Sequence, residues 1–181
     1  AYMQLFKKMG LKAIPMKADT GTIGGDLSHE FIILADNGES EVYVDKQLLN
    51  IDDSFLKINY NDDLQEKVNK FTSLYAATEE KHDVNNFDHK YNTLIKTRGI
   101  EVGHIFHFGQ KYSLPMRATI SDRVGENIPV FMGSYGVGLS RLVGAVIEAN
   151  HDQKGIIWPK EVTPWDYNII NLKCGDIDCD K

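Results

Sequence analysis

Residues 136–149, Gly-Val-Gly-Leu-Ser-Arg-Leu-Val-Gly-Ala-Val-Ile-Glu-Ala, constrain this chain more than any other stretch, because a helix that is apolar on nearly every side has to be buried. Three β-forming runs precede it, at 100–108, 116–120 and 128–132, with polar, Gly-containing turns at 109–113 and 122–126. Short links between strands predict an antiparallel meander with the helix packed against it, an α+β arrangement. A chain of 181 residues is long enough to enclose such a core, and 42% apolar against 25% charged residues excludes a disordered or disulfide-dense class. No apolar run reaches the length of a membrane span, and the N-terminus is amphipathic rather than signal-like, so no membrane association and a cytoplasmic location are expected. A net charge of −6 argues against broad capture of phosphate backbones, although a local basic groove could still hold RNA. Cys174 and Cys179 lack the further Cys or His residues that a tetrahedral zinc site needs.

The N-terminal part reads as helix over the first nine residues, a stop at Gly10, and a strand over 11–18 in which Pro15 points to an edge or a bulge. A Gly-rich loop over 19–28 leads into a strand at 30–35, and a turn at 36–39 predicts a hairpin with the strand at 41–44. Residues 45–98 are acidic and Asn-rich and read as a connector, with one helix at 62–71 and a loop at 85–88. Residues 167–172 read as the opening of a strand in a further unit. The expected division is a partial domain over 1–165 and the start of a second over 166–181.

Chemistry concentrates in three places. In Gly133-Ser134-Tyr135-Gly136-Val137-Gly138-Leu139-Ser140-Arg141, between a strand and a helix, Gly136 and Gly138 would let a phosphate approach the helix N-terminus, and Arg141 could grip it with two parallel hydrogen bonds. The plainer reading makes the glycines packing residues and Arg141 a solvated charge. The third glycine of a dinucleotide fingerprint is missing, since Arg141 stands in its place. In the strand 100–108, a period of two puts Glu101, Gly103, Ile105 and His107 on one face, an open ligand-binding surface where Glu101 could hold Mg²⁺ or an ammonium group. His104 falls on the apolar face and reads as a satisfied core histidine. His29-Glu30 lacks the second histidine of a zinc protease, and Ser28, His29 and Glu30 as strand neighbours cannot converge into a triad. The loop at 21–26 together with Glu30 reads instead as the lining of a small-molecule pocket that recognises an amine.

Three stretches in this order, Ala18-Asp19-Thr20-Gly21-Thr22-Ile23-Gly24-Gly25-Asp26-Leu27-Ser28-His29-Glu30-Phe31, Gly99-Ile100-Glu101-Val102-Gly103-His104-Ile105-Phe106 and Gly133 through Leu142, resemble the bacterial-type prolyl-tRNA synthetases. Asn150-His151-Asp152 and Gly155-Ile156-Ile157-Trp158-Pro159 continue the likeness. The resemblance implies a class II synthetase fold, an antiparallel β-sheet flanked by helices, here incomplete. It implies ATP-dependent formation of prolyl-adenylate, transfer of proline to tRNA(Pro), and Mg²⁺ with the nucleotide. Arg141 matches the arginine of the third class II motif, expected on the γ-phosphate. Glu101, His107, Gly136 and Gly138 match positions facing ATP, with His107 where the family commonly has Gln. Thr20, Ser28, His29 and Glu30 match the loop beside the proline pocket. The family's first and second motifs should lie upstream of Ala1, so this chain is expected to be a fragment, inactive alone, of a homodimeric parent. The connector replaces the editing domain that many relatives carry, and 166–181 corresponds to the start of an anticodon-binding domain. A threonyl or seryl class IIa synthetase is a rival within the enzymes, and a non-catalytic, RNA-binding accessory protein is a rival outside them.

Overall fold

A computed structural model describes residues 1–50, 59, 61–83 and 93–181. The expected loop at 85–88 lies outside them. Helix α1 (Tyr2–Lys7) buries Phe6 and is followed by Gly10, whose φ of +73° redirects the chain into strand β1 (Ala13–Lys17). A short turn at Gly21–Ile23 precedes β2 (Leu27–Leu34), and β3 (Ser40–Asp45) follows. Helix α2 (Leu64–Thr72) and β4 (Ala76–Thr78) come next, and then β5 (Leu94–Gly109), the 16-residue strand around which the sheet is organised.

Strand β5 is paired along its whole length: β3 covers residues 94–99 and β2 covers 99–107, both antiparallel, while β8 (Met132–Val137) covers 103–109. Strands β2 and β3 therefore run in the same direction, and the expected hairpin between them does not form. Its turn is instead laid across β5. Ala35 N–H donates to the Arg98 carbonyl, and the Arg98 guanidinium donates to the carbonyls of Gly38 (2.6 Å) and Glu39 (3.0 Å). At the crossing, Gly38 lies so near Gly99 that a Cβ on Gly38 would stand 2.4 Å from the Gly99 carbonyl, so position 38 has no room for a side chain. The other edge of β2 is taken by β1, with Pro15 opposite Phe31. Beyond β1, among the described residues, there is a single parallel bridge, Lys17 to Ala77 of β4, which leaves Pro15 on an almost open edge as expected. Because β4 also pairs with β3, the pairings β5–β2–β1–β4–β3–β5 close on themselves.

The expected meander is also replaced. A helical turn α3 (Ser113–Met116) takes the first part of the predicted 116–120 strand, and β6 (Thr119–Ser121) pairs only with β7 (Asn127–Pro129). These short, exposed strands stand outside the main sheet, and the chain returns through β8 to β5. Gly133 and Gly136 are thus strand residues, and α4 (Leu139–Ala149) begins three residues later than expected, with Gly138 as its N-cap. Extending β8 satisfies backbone groups against β5, whereas glycines inside a helix cost about 1 kcal/mol each.

Alternating residues of β1 and β2 feed two cores on opposite faces of the sheet. One joins Phe6, Phe31, Ile33, Ile100 and Val102 to Leu142, Ala145 and Val146 of α4. The other gathers Ile14, Met16, Ile32, Val42, Val44 and Leu48. Helix α4 is buried along that one stripe, and Leu139 and Val143 stay exposed, so its apolar character does not mean burial on all sides. The connector supplies α2, β4, the core residue Leu48 and the first residues of β5. A two-stranded ribbon, β9 (His151–Asp152) with β10 (Gly155–Ile156), follows α4. Residues 167–172 form no strand, and Tyr167, Ile169 and Leu172 are exposed there. The whole is α+β with a mostly antiparallel sheet, and among the described residues no helix is long and apolar enough to cross a membrane.

Candidate functional site

The β2–β5 ladder fixes the site through one irregularity. Glu30 lies opposite His104 and Phe31 opposite Gly103, but Ile32 lies opposite Glu101, so Val102 is an extra residue in β5. A bulge of one residue resets which side chains share a face. Glu101 consequently turns to the side of His104 and Phe106, and away from His107. The grouping of Glu101 with His107 read from strict alternation is overturned.

On that face His104 is the centre. Its Nε2 lies 2.5 Å from Ser28 Oγ, its Nδ1 lies 3.1 Å from Glu101 Oε1 and 3.9 Å from Glu30 Oε1, and its ring stacks on Phe106 at 3.9 Å. His104 was expected to be a core histidine, and it is instead the hub of a half-buried polar cluster. Ser28, buried in β2 rather than held in the Gly-rich loop, donates to the Asp19 carbonyl at 3.3 Å. Glu101 passes the line onward: Arg141 Nη1 donates to its Oε2 at 3.0 Å and to its carbonyl at 3.1 Å, while Arg141 Nη2 lies 3.5 Å from Glu39 Oε1. Arg141 is therefore not a lone solvated charge. Burial pushes the Glu30 carboxyl up to about 7, with the negative charges of Glu101 and Glu80 adding to the shift and Arg141 opposing it.

The remaining expected residues are more scattered. Gly136 pairs with His104 across the β5–β8 ladder, and Gly138 N–H donates to the Val102 carbonyl, so both border the site through the backbone. His107 is exposed, 3.6 Å from Asp26 Oδ2 and with its ring 6.3 Å from that of Phe131. His29 points to the opposite face from Ser28 and Glu30, and burial, with Lys17 and His104 nearby, lowers its pKa. The Thr20 carbonyl accepts from Gly24 N–H in the turn, and no side-chain cap bond comes from Thr20. The face thus unites Ser28, Glu30, Glu101 and Arg141 with His104, and leaves Thr20, His29 and His107 outside. Nothing local in the sequence marks the Val102 bulge that recruits His104.

Among known proteins, the chain is 55% identical over 186 aligned positions to the proline–tRNA ligase of Caulobacter vibrioides (strain NA1000 / CB15N), covering 99% of this chain and 41% of that protein. It is 57% identical over 178 positions to the proline–tRNA ligase of Rhodospirillum rubrum, covering 97% and 40%, and 53% identical over 182 to that of Bartonella tribocorum, covering 99% and 41%. No family model matches the chain. The chain spans about two fifths of the length of these curated relatives.

Proposed function

We propose that this chain, a homologue of the proline–tRNA ligases over nearly its whole length, is part of the catalytic core of an enzyme that activates proline with ATP and transfers it to tRNA(Pro). The core is of the class II synthetase type, without an inserted editing domain, and residues 166–181 open the unit that reads the tRNA. The working enzyme is a cytoplasmic homodimer. The observation that carries the reading is the line Ser28–His104–Glu101–Arg141, which joins an amine-recognising surface to the phosphate-binding arginine on one face.

In the first step a carboxylate oxygen of proline attacks the α-phosphorus of ATP and pyrophosphate leaves. In the second, a ribose hydroxyl of the tRNA attacks the prolyl carbonyl and AMP leaves. Neither step needs a nucleophile from the protein, so the side chains act by position and charge. Glu30 and Glu101 attract the ring ammonium of proline, and Phe106 beside His104 offers an apolar surface to the ring. Arg141 exchanges Glu101 and Glu39 for phosphate oxygens, which present the same paired acceptors to a guanidinium with more charge. Gly136 and Gly138 keep the approach to that arginine clear of side chains. The Glu101 carboxylate is an oxygen donor of the kind Mg²⁺ takes, and the ion would neutralise phosphate charge when bound with the nucleotide.

ATP–pyrophosphate exchange with proline tests this, run on the chain alone and on the chain extended through its open reading frame. Exchange in the extended protein should require proline and fall about a hundredfold in Arg141→Ala, a loss comparable to that of one strong transition-state contact. Exchange driven by threonine or serine would make it another class IIa synthetase. No exchange with any of the three would favour an accessory RNA-binding role.

A further inference from the structure

We propose that Glu30, Glu101 and His104 form a binding site for a divalent first-row transition-metal ion of the Zn²⁺ type, filled without any nucleotide. One ligand atom from each of the three residues lies within 4.8 Å of the other two. His104 Nδ1 is 3.1 Å from Glu101 Oε1 and 3.9 Å from Glu30 Oε1. Ligands about 2.0–2.2 Å from a shared tetrahedral ion stand about 3.3–3.6 Å apart, so small rotations of the two carboxylates suffice. The side chains are 19%, 27% and 19% exposed for Glu30, Glu101 and His104. The cluster is thus largely shielded, yet open enough for an ion to enter and keep a water.

The hydrogen-bond pattern supplies an independent reason. Ser28 has one hydroxyl proton, and it is directed to the Asp19 carbonyl. Where its oxygen accepts from His104, the imidazole N–H sits on Nε2 and, in the neutral ring, the Nδ1 lone pair faces two carboxylates. Three such atoms facing one another leave a place for one cation, a proton or a metal ion. A metal-ligating histidine characteristically donates the N–H of its second ring nitrogen to an oxygen acceptor, and Ser28 Oγ stands in that place here. Arg141 holds the other oxygen of Glu101, so Oε1 is the one left for an ion. All three ligands stand on paired strands of one sheet, which limits the ordering cost of binding. One imidazole nitrogen with two carboxylate oxygens suits Zn²⁺, Co²⁺ or Mn²⁺, whereas Mg²⁺ prefers oxygen throughout.

The inference stands on side-chain geometry and not on the synthetase reading; metal and proline ammonium would compete for Glu30 and Glu101, so its test uses neither ATP nor proline. Zn²⁺ binding is measured by calorimetry on the full chain carrying Cys174→Ser and Cys179→Ser, which removes two exposed thiols. We expect one Zn²⁺ per chain. Affinity should fall at least tenfold in Glu30→Gln and in His104→Gln, and stay unchanged in His107→Gln, which removes the separate exposed pair with Asp26. Because a variant could misfold, the same Zn²⁺ is added to the otherwise unaltered protein and followed by histidine ring NMR. Of the six histidines, His104 should move most at one equivalent. Absence of stoichiometric binding, undiminished binding in His104→Gln, or shifts centred on another histidine would overturn the proposal. Displacement by equimolar Mg²⁺ would overturn the choice of a transition metal.

Discussion

Glu30 is held where ionisation is opposed by burial and by a neighbouring carboxylate, and this has a consequence for stability. Below about pH 4.5 its carboxyl is protonated in the folded and unfolded chain alike and contributes no pH dependence. Between that value and about 7 the folded chain retains a proton that the unfolded chain has released, so stability falls as pH rises and levels off above 7. The loss is on the order of 3 kcal/mol. Glu30→Gln should flatten this slope and raise the urea midpoint at pH 8 relative to the unaltered chain, and an unchanged slope from pH 5 to 8 would refute it. Arg141 presents the opposite case. Its ion pairs with Glu101 and Glu39 are half-exposed, so Arg141→Ala should cost no more than about 1 kcal/mol of stability by urea unfolding, against its large expected effect on exchange. Cys174 and Cys179 are both exposed free thiols, and a thiol reagent should modify two groups per chain without denaturant.

The long strand β5 is what makes the neighbouring elements depend on one another. Its crossing with the β2–β3 turn places Gly38 against Gly99, where a side chain would collide with backbone rather than with a movable side chain. Gly38→Ala should therefore destabilise by roughly 1–3 kcal/mol, the usual range for overpacking. Gly144 offers a built-in comparison, since it lies in α4 and a methyl group added there would meet nothing within 4 Å. Gly144→Ala should stabilise by roughly 0.5–1 kcal/mol, because the helix then fixes a less mobile residue. Urea unfolding of the two variants reads both, and equal shifts in one direction would contradict the account of the crossing.

Taken as a body, the chain exposes more large apolar groups than its net charge of −6 would suggest. Met116, Val124, Phe131 and Tyr135 are exposed in and around the outlying hairpin, Leu139 and Val143 on α4, and Tyr167, Ile169, Ile170 and Leu172 in the C-terminal segment. Where such groups lie side by side they form contact surface. The isolated chain should bind an apolar fluorescent dye in its native state and self-associate with rising concentration in sedimentation velocity. A monomer at all concentrations with no dye binding would show that these groups do not act as a surface.

Local patterns were enough for α1 and its stop at Gly10, for β1 with its edge proline, for β3 and for the presence of α4, though not its start or its exposed side, because each rests on the period and turn chemistry of a few adjacent residues. The order of the motifs around Glu30, Glu101 and Arg141 was likewise enough to identify the relatives. Strand partners were a different matter. Whether β2 turns back on β3 or runs on beside β5 depends on which distant edge satisfies its backbone, and Arg98, sixty residues from Gly38, settles it. The connector became sheet for the same reason, as β4 and the start of β5 complete edges that no neighbouring residue could. The site shows the effect most sharply. A single residue of β5 without a partner in β2, Val102, moves Glu101 to the other face and makes His104 its partner, and a one-residue shift in pairing has no signature in the residues themselves.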